Sequence, residues 1–150
     1  MYTSMLTNVI KEKRYQIVEY AKELLGISYE FGAEWANVEE KPLLLDCSEL
    51  VEGVYKKAGL FLPDGSQSQY NFTRLSQILE PGDLAFFGSN KDPALIYHVG
   101  IVVSKDSILE ARALDKAASF ETGKVILRPI EKWKAYKNFC GFRCHPALVL

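Results

Sequence analysis

The sequence is poor in the residues that announce the simplest classes of protein. Its 150 residues hold only three cysteines and two histidines. Cys47, Cys140 and Cys144 are odd in number, which excludes the paired framework of a small disulfide-stapled domain and leaves reduced thiols as the reading. Neither sign of charge prevails, with 18 Lys and Arg against 19 Asp and Glu, so no bulk field draws the chain to nucleic acid or anionic lipid. No apolar run approaches the ~20 residues that cross a bilayer, and Val9-Ile10 gives way at once to Lys11-Glu12-Lys13-Arg14, with no signal-peptide pattern. Internal repeats, low-complexity tracts and linkers are missing too. The expectation is a monomer made in the cytoplasm without a signal peptide, with no nucleic-acid partner and no membrane insertion. What the chain does have is 48% hydrophobic residues. At this length that supports one core and leaves too little chain for two ordinary domains, so residues 1–150 read as a single domain.

The stretch Asp46-Cys47-Ser48-Glu49-Leu50-Val51 organises the rest. Leu50, Val51, Val54, Tyr55 and Ala58 share one 3.6-period face, and Glu52, Lys56 and Lys57 share the other. Asp46 is a good N-cap, Glu49 completes a capping-box spacing, and Gly59 stands where a left-handed C-cap is wanted. The spacing predicts a helix from Cys47 to Ala58. A first-turn thiol meets unpaired N–H groups and the positive end of the helix dipole, both of which favour the thiolate. Cys47 is the candidate nucleophile, although a lone cysteine also reads as a small buried hydrophobe.

Upstream, Asn8 or Thr7 caps a helix whose apolar positions Ile10, Ile17, Val18, Ala21, Leu24 and Leu25 run to Gly26. Residues 27–41 show no clear period and read as irregular. Downstream come a turn at residues 60–65, a short helix over 66–75 and a second turn at Glu80-Pro81-Gly82-Asp83. Strands follow at 84–87, 98–103, 107–112, 124–128 and 139–144, with a helical turn at 131–136. Helices first and antiparallel strands second make an α+β pattern, with helices on one side of a sheet.

His98 opens an apolar strand, where it is either a core histidine or an imidazole able to take a thiol proton. A third polar group must then hold the ring in the useful tautomer. Glu110 is the candidate. A turn centred on Ser104 sets it nearly opposite His98 on one face, while a one-residue slip would turn it to the other face or to solvent.

Asp46 to Val51, then Leu62-Pro63 with Ser66 and Gln69, then Pro81-Gly82-Asp83-Leu84-Ala85-Phe86-Phe87, then His98-Val99-Gly100-Ile101-Val102 resemble the successive motifs of the NlpC family of papain-like cell-wall peptidases. The resemblance spans about Gly26 to Arg143. It implies a papain-like α+β core, the nucleophile helix packed on an antiparallel sheet, with no cofactor and no metal. It also implies a cysteine endopeptidase that hydrolyses peptide bonds in peptidoglycan stem peptides or muropeptides, commonly next to D-glutamate and a diamino acid. Carried over residue by residue, Cys47 matches the nucleophile, His98 the base and Glu110 the orienting position, where the family usually has His, Asn or Gln. Tyr29 resembles the tyrosine upstream of the nucleophile whose hydroxyl reaches the cleft, and Asp46, Ser48 and Ser66 resemble residues that line the substrate's amino-terminal side. Two other departures are Glu49, where the family mostly has Gly, and Phe31-Gly32-Ala33 in place of an aromatic-Gly-Gly run.

Two further clusters point elsewhere and are set aside. Cys140, Cys144 and His145 offer three close ligands at a spacing outside the usual zinc hooks. Lys132-Trp133-Lys134 suggests a basic aromatic patch that the neutral charge balance does not support. The alternatives that remain are an acyltransferase on the same Cys-His scaffold and a non-catalytic module that binds wall peptides. The setting is either a phage lysis or tail enzyme, released to the wall by other means, or an intracellular enzyme trimming recycled muropeptides.

Overall fold

In a computed structural model, the structure describes residues 2–113 and 123–149. Helix α1 covers Tyr2–Lys22, so it begins ahead of the expected caps. Thr7 lies inside it, and its hydroxyl donates back to the Thr3 carbonyl four residues earlier instead of capping. Ile17, Val18 and Ala21 face the core, whereas Leu25 falls beyond the helix and is exposed. Gly26, at φ 86°, turns the chain out of the segment.

The supposedly irregular region contributes two short strands, β1 (Ser28–Tyr29) and β2 (Leu44–Leu45), paired in parallel. Helix α2 follows at Cys47–Lys57, with Asp46 accepting from the Ser48 N–H at its start. Gly59, at φ 84°, lies just beyond its end. The expected capping box does not form. The Glu49 carboxylate instead accepts from the Trp35 N–H at 3.0 Å, while the Trp35 indole lies so close over Gly53 that any Cβ there would meet it at 2.0 Å. Residue 49 and a glycine one turn on thus anchor the 30–43 loop to α2. Helix α3 (Ser66–Phe72) then gives way to β3 (Arg74–Leu75). The remaining elements are β4 (Leu84–Gly88), β5 (Ile96–Val102), β6 (Ser107–Arg112), β7 (Lys124–Pro129), α4 (Ile130–Ala135) and β8 (Phe139–Cys144).

The strands form one sheet in the order β2-β1-β7-β6-β5-β4-β8-β3, antiparallel except for the β1–β2 pair. Side chains alternate across it. Val99, Ile101, Leu109, Ala111 and Val125 face α1 and α2 and join Leu50, Val51, Val54 and Tyr55 in the larger core. Val102 and Ile108 face the other way, against Ile130 and Trp133 of α4. Helices therefore cover both faces: the helical turn expected at 131–136 is α4, and it packs on the face that the expectation of one covered side left bare. Arg14 ties α1 to the loop before β4, donating to the Pro81 carbonyl at 2.9 Å and to Asp83 at 2.8 Å. The result is an α+β, papain-like fold.

Candidate active site

The site lies where the start of α2 meets the start of β5. Cys47 is the first helical residue, only 8% exposed, and the backbone N–H of Val99, next to His98 in the chain, points at its sulfur. The Cys47 thiol is pushed up to about 12, first by burial and then by the Asp46 carboxylate beside it, while the N–H groups of Val99 and Ser48 pull the other way. The expected stabilisation of the thiolate at the helix start is thus outweighed, because removing a charge from water costs more than two partial charges return. Cys47 therefore rests as a thiol. Among the described residues no hydrogen bond joins Cys47 to His98.

On the α4 face, His98 and Glu110 do come together, with ring Nε2 2.8 Å from Glu110 Oε1. The register explains how. Ile101 pairs with Leu109 and Val102 with Ile108, so the same register sets Glu110 across from Gly100 and diagonal to His98. The turn centre is Lys105, one residue later than expected, which shifts the pairing by two and leaves both side chains on one face. Gly100 makes the room, since a Cβ there would crowd Trp133 at 3.0 Å and Ile108 at 2.6 Å.

Glu110 is fully buried and each of its oxygens takes two donors. Oε1 accepts from His98 Nε2 and from an Arg128 Nη at 2.9 Å. Oε2 accepts from Arg128 Nε at 2.6 Å and from the Trp133 indole at 2.7 Å. Burial alone would push this carboxyl up, but the bonds from His98 and Arg128 outweigh it and hold it down at about 2. An ionised carboxylate can only accept, so His98 Nε2 must be the protonated nitrogen, and a neutral ring offers its lone pair at Nδ1. Stacking between Phe87 and Trp133, with centroids 5.4 and 5.5 Å away, fixes the ring plane. Neither Arg128 nor Trp133 is placed at the site by the sequence reading. Glu110 pairs with Ile126, so Arg128, two residues on, shares the face of Glu110, and an opposite-charge diagonal pair was the available signal. Trp133 lay within the basic aromatic patch that had been set aside.

The other expected site residues divide. Tyr29 is half-buried near Cys47 and Asp46, which with burial push its phenol up to about 12. Asp46 caps α2 and also accepts from the Gly32 N–H at 2.6 Å, pinning the 30–43 loop. Ser48 is half-buried, and its carbonyl takes a bond from buried Gln69 at 3.0 Å. Ser66 opens α3, with no bond from its hydroxyl among the described residues. Glu49 is pushed up to about 8 by burial and by neighbouring Glu52. At the C-terminal cluster, His145 places one ring nitrogen 2.7 Å from the Phe61 carbonyl and accepts at the other from the Ala147 N–H, so both nitrogens are engaged within the protein.

Comparison with known proteins now adds to this geometry. The chain is 36% identical over 98 residues to a protein named probable endopeptidase p60 from Listeria monocytogenes, covering 64% of this chain and 18% of that one. It is 43% identical over 60 residues to the bifunctional muramidase/DL-endopeptidase CwlT of Bacillus subtilis, covering 39% of this chain and 18% of that one. The chain thus spans less than a fifth of the length of these curated relatives. A crystal structure of an NlpC/P60 family protein from Bacillus cereus superposes with a TM-score of 0.71 at 20% identity, covering 88% of this chain and 40% of the other. At that identity the likeness concerns the fold. The description "NlpC/P60 family" matches residues 26–134, well over half of the sequence, and the chain belongs to the NlpC/P60 family.

Proposed function

We propose that this protein is a cysteine peptidase that cleaves peptide bonds in peptidoglycan stem peptides. The observation that carries the reading is the fixed tautomer of His98: Glu110, held by Arg128 and Trp133, commits Nε2 to its proton and leaves Nδ1 as the base. The names of the p60 and CwlT relatives support the peptidase class.

In this mechanism Nδ1 of His98 takes the proton of the Cys47 thiol as the sulfur attacks the scissile carbonyl. The Cys47 N–H, at the first helical position and outside the helical ladder, meets the developing oxyanion. His98 then protonates the departing amine, and water, activated by the same nitrogen, resolves the thioester. Glu110 orients and never takes the proton, in keeping with its low pKa. Tyr29, Asp46, Ser48 and Ser66 bind the acyl side of the substrate.

Defined muropeptides incubated with the protein and weighed by mass spectrometry test this. A pair of products whose masses together equal the substrate plus one water supports hydrolysis, and Cys47→Ala is expected to lower the rate at least ~10³-fold while remaining folded. Masses showing a peptide joined to a new amine would make the protein an acyltransferase, and intact peptide bound without turnover would make it a binding module.

A further inference from the structure

We propose that the cavity beside His98 receives a free carboxylate carried by the residue whose amine departs. The proposal rests on the peptidase reading and names what that site selects. The cavity, about 220 Å³, is walled by Phe87, Tyr97, His98, Arg112, Arg128 and Tyr136. Its place relative to the chemistry follows from the shared ring. An imidazolium that has taken the thiol proton must hand it to the leaving nitrogen, so the departing residue has to pass His98, and His98 is one wall of the cavity.

The donors in the cavity call for an anion. Glu110 also borders it, but both carboxylate oxygens are already taken by two donors each, and its charge is matched by Arg128. Arg128 spends Nε and one Nη on that carboxylate, and among the described residues its other Nη has no protein partner. Arg112 adds a second guanidinium, whose Nε donates to the Ala113 carbonyl at 3.2 Å and which makes no bond to Glu110 among the described residues. At the rim, Asn138 donates to the Tyr97 hydroxyl at 3.0 Å and Tyr97 donates to the Tyr136 hydroxyl at 3.3 Å, which leaves the Tyr136 O–H to donate into the cavity. Two guanidinium groups and one hydroxyl thus border a recess whose other walls are Phe87, Tyr97, His98 and the fully bonded Glu110. That combination fits a carboxylate.

Charge on the two sides of the centre strengthens the assignment. Asp46 adjoins Cys47 and Tyr29 on the acyl side, with Glu52 and Asp64 together on α2 and the loop after it, beside Glu49, which burial and Glu52 keep protonated at neutral pH. An anionic group is repelled there and drawn to the arginines across the ring. The site therefore sorts substrates by the polarity of the peptide as well as by the scissile bond.

Two peptides that differ in one group provide the test, γ-D-glutamyl-L-lysine and γ-D-glutamyl-L-lysinamide, each extended by L-alanine at its amino end. Wild type is expected to favour the carboxylate over the amide about tenfold in kcat/KM, the size of one charge-assisted contact. Arg112→Gln should bring the ratio close to one, and Arg112→Lys, which keeps the charge, should restore part of it. A wild-type ratio near one, or a ratio unchanged in Arg112→Gln, overturns the proposal. Titration of the ¹⁵N-labelled arginine side chains with L-lysine or L-lysinamide needs no turnover and separates the two readings. If neither peptide is cleaved, the peptidase reading fails. The cavity assignment then stands only if L-lysine binds at least several-fold more tightly than L-lysinamide and loses that margin in Arg112→Gln. Equal binding of L-lysine and inorganic phosphate would mark a general anion sink and refute selection for a carboxylate.

Discussion

On the helix side of β5, Cys47 belongs to the larger apolar core, and burial together with Asp46 pushes its thiol up to about 12 against the pull of the Val99 and Ser48 N–H groups. On the α4 side, an equally buried Glu110 is held at about 2, because four donors reach its two oxygens. Burial acts in the same direction on both acids, favouring the protonated form. Opposite outcomes arise from the partners. The contrast teaches that charge is stored at Glu110 and not at Cys47, so the proposed mechanism requires His98 to remove the thiol proton as the sulfur attacks.

Breaking the Glu110 knot has the largest effect on stability. Arg128→Ala strands a buried carboxylate and should cost about 3 kcal/mol, read as a lower urea midpoint, with kcat/KM falling as His98 loses its anchor. Glu110→Gln placed in the same chain should recover part of that stability, since an amide needs no counter-ion. A double-mutant cycle showing strict additivity would mean that the two side chains are not coupled. Trp133→Phe removes one bond to the charged carboxylate and should cost about 2 kcal/mol, with a smaller loss of rate because Arg128 and His98 still hold Glu110.

Acid titration sharpens the same contrast. The folded pKa of Glu110 lies below its ordinary 4.5, at about 2. Its contribution to stability is therefore complete above about 4.5 and is lost as the pH falls towards 2. Thermal melts across that range should show a decline in wild type that is reduced in Glu110→Gln. A decline of equal size in both would place the acid-sensitive group elsewhere.

Much of this architecture was legible in the sequence, for particular reasons. Helix α2 announced itself through Asp46, the apolar spacing of Leu50, Val54 and Ala58, and Gly59. Strands β6 and β8 carried enough β-formers to fix their ends. The His98–Glu110 contact was found through hairpin symmetry, and it survived a misplaced turn because an error of two residues preserves the face. Two-residue strands such as β1 and β2 leave no period to read, whereas α4 was legible as a helical turn but the sheet face it covers was not. Arg128 and Trp133 come from beyond Glu110 in the chain, and only the β6–β7 register and the second sheet face bring them to it. Glu49 was misread for a related reason, since its partner Trp35 lies in a loop without pattern. The thiol's burial follows from tertiary packing, to which a first-turn argument is blind.

The central claim is that Glu110 commits the His98 ring to the tautomer with its proton on Nε2 and its lone pair on Nδ1. The most direct measurement is ¹⁵N NMR of the His98 imidazole at mildly alkaline pH, with His145 distinguished by a His145→Gln variant. The account predicts a protonated Nε2 and a bare, pyridine-like Nδ1 in wild type, lost to a tautomer mixture in Glu110→Ala. A proton on Nδ1, or an imidazolium protonated at both nitrogens and paired with a Cys47 thiolate, would contradict it.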